Sequence, residues 1–272
     1  MEEVLRFSGV TVSHAGLVRS GNEDAGFLGP GCMLVADGVG GAAAGEIASA
    51  TTAYVVSALA LTDPTADPVA MLHMGVVLAQ EQIAAGVRQD AARTGMATTL
   101  TAVATDGKQF GLAHVGDSRG YVLREGRLTR ITTDHTYVQR LVDEGNLDEA
   151  DVARHPWRNV VMRSVDGTVS ESGDVTRLQL LVGDRVLLAS DGLTDLVSEP
   201  HIESLLRAHH DDAAAEALLD AALDAGGTDN ITCLLATVVE GPAIAADGVL
   251  VGALRDPRNV VDAAAVRMPH SA

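Results

Sequence analysis

Residues 98–131 read TTLTAVATDGKQFGLAHVGDSRGYVLREGRLTRI, and this stretch decides the fold class. Runs rich in apolar and β-branched residues at 99–104, 109–115, 120–123 and 128–131 are separated by the turn dipeptides Asp106-Gly107, Gly116-Asp117 and Glu125-Gly126. Connections this short leave no room for a crossover helix, so the four strands form an antiparallel meander.

Working outward, strands are expected at 6–13 and 32–36, the second ending at Asp37-Gly38. Two alanine-rich helices follow, 43–61 and 67–92, divided by Asp63-Pro64 and Asp67-Pro68. In the second, Val69, Leu72, Val76, Ala79, Ile83 and Val87 recur at three and four positions and make one apolar face. Beyond the meander, a helix at 136–144 stops at Gly145, and a polar excursion runs to Trp157. Strands return at 175–180 and 185–189, then helices at 199–208, with Ser198 as N-cap and Pro200 in the first turn, and at 211–223. A last apolar strand spans 231–239. Strands grouped with strands, and helices with helices, predict an α+β fold. It is a four-layer α-β-β-α sandwich of two antiparallel sheets flanked by helix pairs, not a doubly wound sheet. Residues 1–240 make one domain in this reading. Residues 241–272 are expected to be a C-terminal tail or short extension, disordered for want of apolar surface.

Thirty-seven acidic residues against nineteen basic ones give a formal charge of −18, which disfavours nucleic acid and anionic membranes as partners. Cys32 and Cys233 each sit in an apolar run and signal no disulfide framework. The first eight residues carry Glu2, Glu3 and Arg6 rather than a signal sequence, and no apolar run reaches a membrane span. The expectation is therefore a cytoplasmic, membrane-free monomer.

Chemistry concentrates at strand ends. The run 33–36 meets Asp37-Gly38, the run 186–190 meets Asp191-Gly192, and Asp229-Asn230 opens the last strand. Each pair alone is most simply a turn. Together, aspartates at the rims of core strands suggest a site for a hard cation, since unpaired carboxylates there are costly, and all-oxygen donors favour Mg²⁺ or Mn²⁺ over zinc. Asp117 adds a further carboxylate in the meander turn. Near the N-terminus, Arg19 stands beside Asn22-Glu23-Asp24, and its planar fork suits a phosphate.

Arg19 with Asn22-Glu23-Asp24, Asp37-Gly38-Val39-Gly40-Gly41, Thr98-Thr99, Gly116-Asp117-Ser118-Arg119, Ser190-Asp191-Gly192 and Asp229-Asn230 occur in the order found in type-2C (PPM) protein phosphatases. The chain resembles in particular the bacterial members that oppose Hanks-type serine/threonine kinases. The resemblance covers about residues 5–240 and implies hydrolysis of phosphoserine and phosphothreonine by in-line attack of a water shared by two cations, Mn²⁺ or Mg²⁺. It implies that Asp37 bridges the cations, with the Gly38 carbonyl on one of them. Asp191 and Asp229 would complete the first site, and Asp117 with Asp191 would form a weaker third. Glu23 and Asp24 would hold coordinated waters, Asn230 would support from behind, and Arg19 would bind the phosphate. The catalytic set is then Arg19, Asp37 and Asp191. Phosphoproteins, kinases among them, are the implied partners, and residues 134–157 fall where the family carries a mobile flap. Val39 replaces a histidine that many eukaryotic relatives use to protonate the leaving group. His114, His135 and His155 are chemically able to replace it, though each is more simply structural. Two other readings are a metal-binding pseudophosphatase that docks partners, and an enzyme of this fold acting on anti-sigma-factor antagonists.

Overall fold

The computed structural model describes residues 3–39, 44–168 and 173–266. Its larger sheet starts from the hairpin of β2 (Asp24–Leu28) and β3 (Cys32–Val39). It continues through β5 (Leu100–Thr105), β6 (Phe110–Val115) and β9 (Asp174–Leu178), with the short β4 (Ala97–Thr98) paired to β3. The smaller sheet runs β1-β11-β10-β7-β8: β1 (Val4–His14), β11 (Ile231–Gly241), β10 (Arg185–Ala189), β7 (Arg119–Arg124) and β8 (Arg127–Arg130). Every pairing is antiparallel, as the meander predicted.

Alternation along the strands builds three apolar layers. Met33 and Val35 of β3 face Val186 and Leu188 of β10 between the sheets. Cys32 and Leu34, pointing the other way, pack with Ala53, Val56, Leu72 and Ile83 of α1 (Gly45–Thr62) and α2 (Pro68–Gln89). Leu187 and Ala189 pack with Ile202, Leu206 and Leu218 of the helices on the opposite outside face, 199–208 and 211–224. Each fully buried Val, Leu or Ile contributes roughly 1.5–3 kcal/mol, so three such layers hold the four-tier stack together.

Expected and observed elements coincide through most of the chain. Asp67 caps α2 by accepting from Val69 N at 3.1 Å and Ala70 N at 3.0 Å. Ala43, where the first helix was expected to begin, lies outside the described residues, as do Gly40 and Gly41. After β8 come α3 (Tyr137–Asp143) and, following β10, the one-turn α4 (Asp191–Thr194). Next are α5 (Glu199–Ala208), where Ser198 holds the N-cap position without a side-chain bond, and α6 (Asp211–Asp224).

From Gly241 to Val266 the chain does not adopt the expected disorder, and 267–272 lie outside the described residues. β12 (Val249–Gly252) pairs with β2 at the edge of the larger sheet, and Ala253 and Leu254 are buried against the α1 layer. Thr51 of α1 accepts from Val261 N at 3.1 Å, and Tyr54 donates to the Ala263 carbonyl at 2.8 Å. Backbone pairing and a few anchors do here what apolar periodicity does elsewhere. Among the described residues no helix is long and apolar enough to cross a membrane.

Candidate active site

Topology gathers the acidic strand ends at one end of the sandwich. The β2-β3 register sets Asp24 opposite Asp37. β10 and β11 are neighbours, so Asp191, first residue of α4, and Asp229, just ahead of β11, come from adjacent strands. The turn 116–118 carries Asp117 from the larger sheet to the smaller. A cavity of about 520 Å³ is lined by Arg19, Glu23, Asp37, Gly38, Asp117, Asp191, Asp229 and Asn230, with Val39, Asn159 and Val161 at its sides.

Neutral side chains brace these positions. Thr99 Oγ1 accepts from Asp37 N at 2.9 Å and lies 2.6 Å from Ser118 Oγ, while Thr98 Oγ1 donates to the Asp37 carbonyl at 2.8 Å. Ser190 Oγ donates to Asp24 Oδ2 at 2.7 Å and accepts from Thr232 N at 2.9 Å. Asn230 uses its whole amide: Oδ1 accepts from Glu23 N at 2.7 Å, and Nδ2 donates to the carbonyls of Ala15 at 3.0 Å and Gly21 at 2.8 Å. Asn230 thereby ties the Arg19–Asp24 loop to the start of β11. Gly192 permits the close passage of α4 over the start of β11, since a Cβ there would come within 2.0 Å of the Asn230 carbonyl oxygen.

The electrostatics are one-sided. Five carboxylates and one guanidinium border the cavity. Burial, then repulsion from Asp24, Asp191, Asp117 and Asp229, holds the Asp37 carboxyl well above the usual carboxylate range. Burial followed by repulsion from Asp117, Asp195, Asp229 and Asp24 does the same to Asp191. Asp117 is pushed up to about 7 by burial and by the charges of Asp134 and Asp195. Burial raises Asp24 to about 6 against the opposing bond from Ser190, and Asp24 Oδ1 has no hydrogen-bond partner. Carboxylates crowded until they resist ionisation are what a hard divalent cation relieves, so the donor set fits Mg²⁺ or Mn²⁺. Among the described residues no three His, Cys, Asp or Glu side chains converge to hold an ion between them. Arg19, expected at a phosphate, meets Asp229 Oδ2 at 2.6 Å.

The expected residues are brought together with one exception: Asp24 is fully buried behind the cavity, and Glu23 alone of that pair borders it. None of the three histidines borders it. His114 is buried with Nε2 at 3.0 Å from the Thr133 carbonyl and Nδ1 at 2.9 Å from Thr101 Oγ1, and burial lowers it to about 4. His135 lies behind the Asp117 turn, and His155 meets Tyr137 at a tilt and Trp157 edge-on near the surface. Sequence reasoning missed Ser190, Ser118 and Asn159. Ser190 and Ser118 were in view as neighbours of Asp191 and Asp117, but nothing marked their hydroxyls as braces. The expected flap stands over a second cavity of about 260 Å³, which shares Asp117, Asn159 and Asp191 with the first and also exposes Arg119, Arg130 and Arg158.

A family model described as Protein phosphatase 2C matches residues 22–225. The serine/threonine protein phosphatase PstP of Mycobacterium tuberculosis is 42% identical over 237 residues, which is 87% of this chain and 46% of that protein. The chain thus spans about half the length of this curated relative. The crystal structure of the M. tuberculosis phosphatase matches with a TM-score of 0.82 at 42% identity, covering 87% of this chain and 99% of that one. A crystal structure of the PstP catalytic domain in complex with two manganese ions matches with a TM-score of 0.78 at 41% identity, covering 86% of this chain and 99% of that one.

Proposed function

Because this chain belongs to the protein phosphatase 2C family, we propose that it is a metal-dependent phosphatase removing phosphate from phosphoserine and phosphothreonine in proteins. The observation that carries this reading is the cavity that Asp37, Asp191 and Asp229 line together with Arg19. Asp37 would serve both of two divalent cations, Mn²⁺ or Mg²⁺, with the Gly38 carbonyl on one, and Asp191 and Asp229 would complete the first position. Asp117 with Asp191 offers a third. What the cations supply when bound is a water acidified toward neutral pH and screening of phosphoryl charge.

The chain's own residues do the rest. Asp229 accepts from Nη2 of the Arg19 guanidinium, leaving its other N–H groups for the phosphoryl oxygens, which Arg19 orients and whose charge it offsets. Glu23, fixed through its backbone by Asn230, borders the cavity as an acceptor for water. Asp24 acts from behind, through Ser190, on the end of β10. His114, His135 and His155 stand outside this cavity, so none of them protonates the leaving oxygen there. Residues 1–240 form the catalytic domain in this reading, and 241–272 extend it. The substrates are phosphoproteins, serine/threonine kinases among them, met in the cytoplasm by a monomer.

Asp191→Asn tests the proposal. Turnover of p-nitrophenyl phosphate and of a phosphothreonine peptide should require Mn²⁺ and fall at least about a hundredfold in the variant, with an unchanged circular dichroism spectrum. A chain that binds Mn²⁺ and phosphopeptide without turnover would instead be a docking module, and the proposal would be wrong.

A further inference from the structure

Asp117 is carried by a turn rather than by a strand, and its carboxylate is not held by any of the braces described above. What fixes it must act through its neighbours. Gly116 has φ +102°, and a Cβ there would come within 2.5 Å of Thr99 Cγ2, so only glycine lets the turn lie this close to Thr99. On the other flank, Ser118 is held by Thr99 through its hydroxyl and by Thr101 Oγ1, which donates to its carbonyl at 2.7 Å.

Among the described residues, the remaining hydrogen bonds to this turn come from one residue. Both backbone groups of Gly116 bond to His135: His135 N donates to the Gly116 carbonyl at 2.8 Å, and Gly116 N donates to His135 Nδ1 at 3.1 Å. An Nδ1 that accepts leaves the proton of the neutral ring on Nε2, which lies 3.1 Å from Asp174 Oδ2 and 3.0 Å from Arg163 Nη1; of these two only the carboxylate can accept it. Asp174 in turn accepts from Arg163 through Oδ1 at 3.0 Å. Carboxylate, imidazole and peptide N–H thus form a chain from β9 to the turn. His135 also stands at the neck of the flap, where Met162 N donates to its carbonyl at 2.7 Å.

We propose that His135, oriented by Asp174, is the positioning residue that holds the Gly116–Asp117 turn so that Asp117 takes a third divalent cation. The inference rests on the metal-dependent reading given above, and deepens it by naming the residue on which the weakest cation position depends. His135 touches neither cation nor substrate. It acts by presenting one lone pair in the right tautomer, as partners outside a metal's own ligands do elsewhere, where their loss lowers affinity about 10- to 100-fold.

The test counts Mn²⁺ sites and their affinities by isothermal titration calorimetry on the full chain, with thermal melts to confirm folding. His135→Leu removes the acceptor and should weaken the third site about tenfold or more while the two tighter sites keep their affinities. His135→Asn places Oδ1 where Nδ1 stood and should stay within about threefold of the wild type. His135→Gln places its amide at the far end of the ring, leaves the Gly116 N–H unpaired and should behave like His135→Leu. If His135→Leu does not fold, the contrast between Asn and Gln carries the same decision. Equal effects of Asn and Gln overturn the inference, as do a parallel loss at all sites or a wild type with only two sites. A wild type that binds no Mn²⁺ sinks the phosphatase reading, and this inference with it.

Discussion

Replacing Asp117 by asparagine should make the metal-free protein more stable, by an amount that depends on pH. Asp117 is 9% exposed and its carboxyl is pushed up to about 7, against about 3.9 for an ordinary aspartate. A carboxyl raised in the fold disfavours folding once the unfolded chain can ionise it. The penalty is absent below about pH 4, grows as pH rises to about 7, and is constant above that. At pH 8 it amounts to about 4 kcal/mol. Asparagine keeps the shape without the charge but brings an amide that must itself be satisfied, so a net gain of about 2–4 kcal/mol is expected. For a chain of this size that is a rise of roughly 5–10 °C in Tm. Thermal melts in EDTA at about pH 5 and about pH 8 measure it. With Mn²⁺ at about a hundred times its dissociation constant, each site adds about 2.7 kcal/mol to the wild type, and the variant, lacking one site, loses its advantage. A variant no more stable than wild type in EDTA at pH 8, or a gain no larger there than at pH 5, would refute the reasoning.

Other consequences are equally direct. Asn230→Ala strands a peptide N–H and two carbonyls that the buried amide now satisfies. It should cost about 3 kcal/mol in denaturant unfolding, and a loss under about 1 kcal/mol would contradict the bracing role. Arg19→Lys should lower kcat/KM on a phosphothreonine peptide about tenfold or more, because an ammonium cannot span Asp229 and a phosphoryl group at once. Leu254→Ala should destabilise the chain by about 2–4 kcal/mol, and a near-zero effect would show that the segment after Glu240 is dispensable to the core.

Much of this was visible in the residues. The first two strands of the meander, 100–105 and 110–115, and the apolar runs at 32–36, 185–189 and 231–239 are buried on both faces, and continuous burial leaves a continuous apolar record. β2 left almost none: Asp-Ala-Gly-Phe-Leu is short, opens on a charge and holds a glycine, and it is a strand because β3 and β12 flank it. β12 and the turns after it were illegible for a related reason, since they hold by backbone pairing and by Thr51 and Tyr54, which no hydrophobic period reveals. At the site, the order of the aspartates pointed to metal chemistry. That Asp24 sits behind the cavity while Glu23 borders it depends on the pleat of one hairpin, which the letters alone do not set.

Two hydroxyl groups join the sheets at this end of the molecule: Thr99, reaching from beside β3 and β5 to Ser118, and Ser190, reaching from the end of β10 to Asp24. Asp37 rides on one sheet and Asp191 on the other, so any sliding between the two halves of the sandwich would change the gap between those carboxylates. Thr99 and Ser190 act as pins in a caliper. A substitution that loosens either one should be felt first as a change in which ionic radius the molecule prefers, before any loss of fold is detectable.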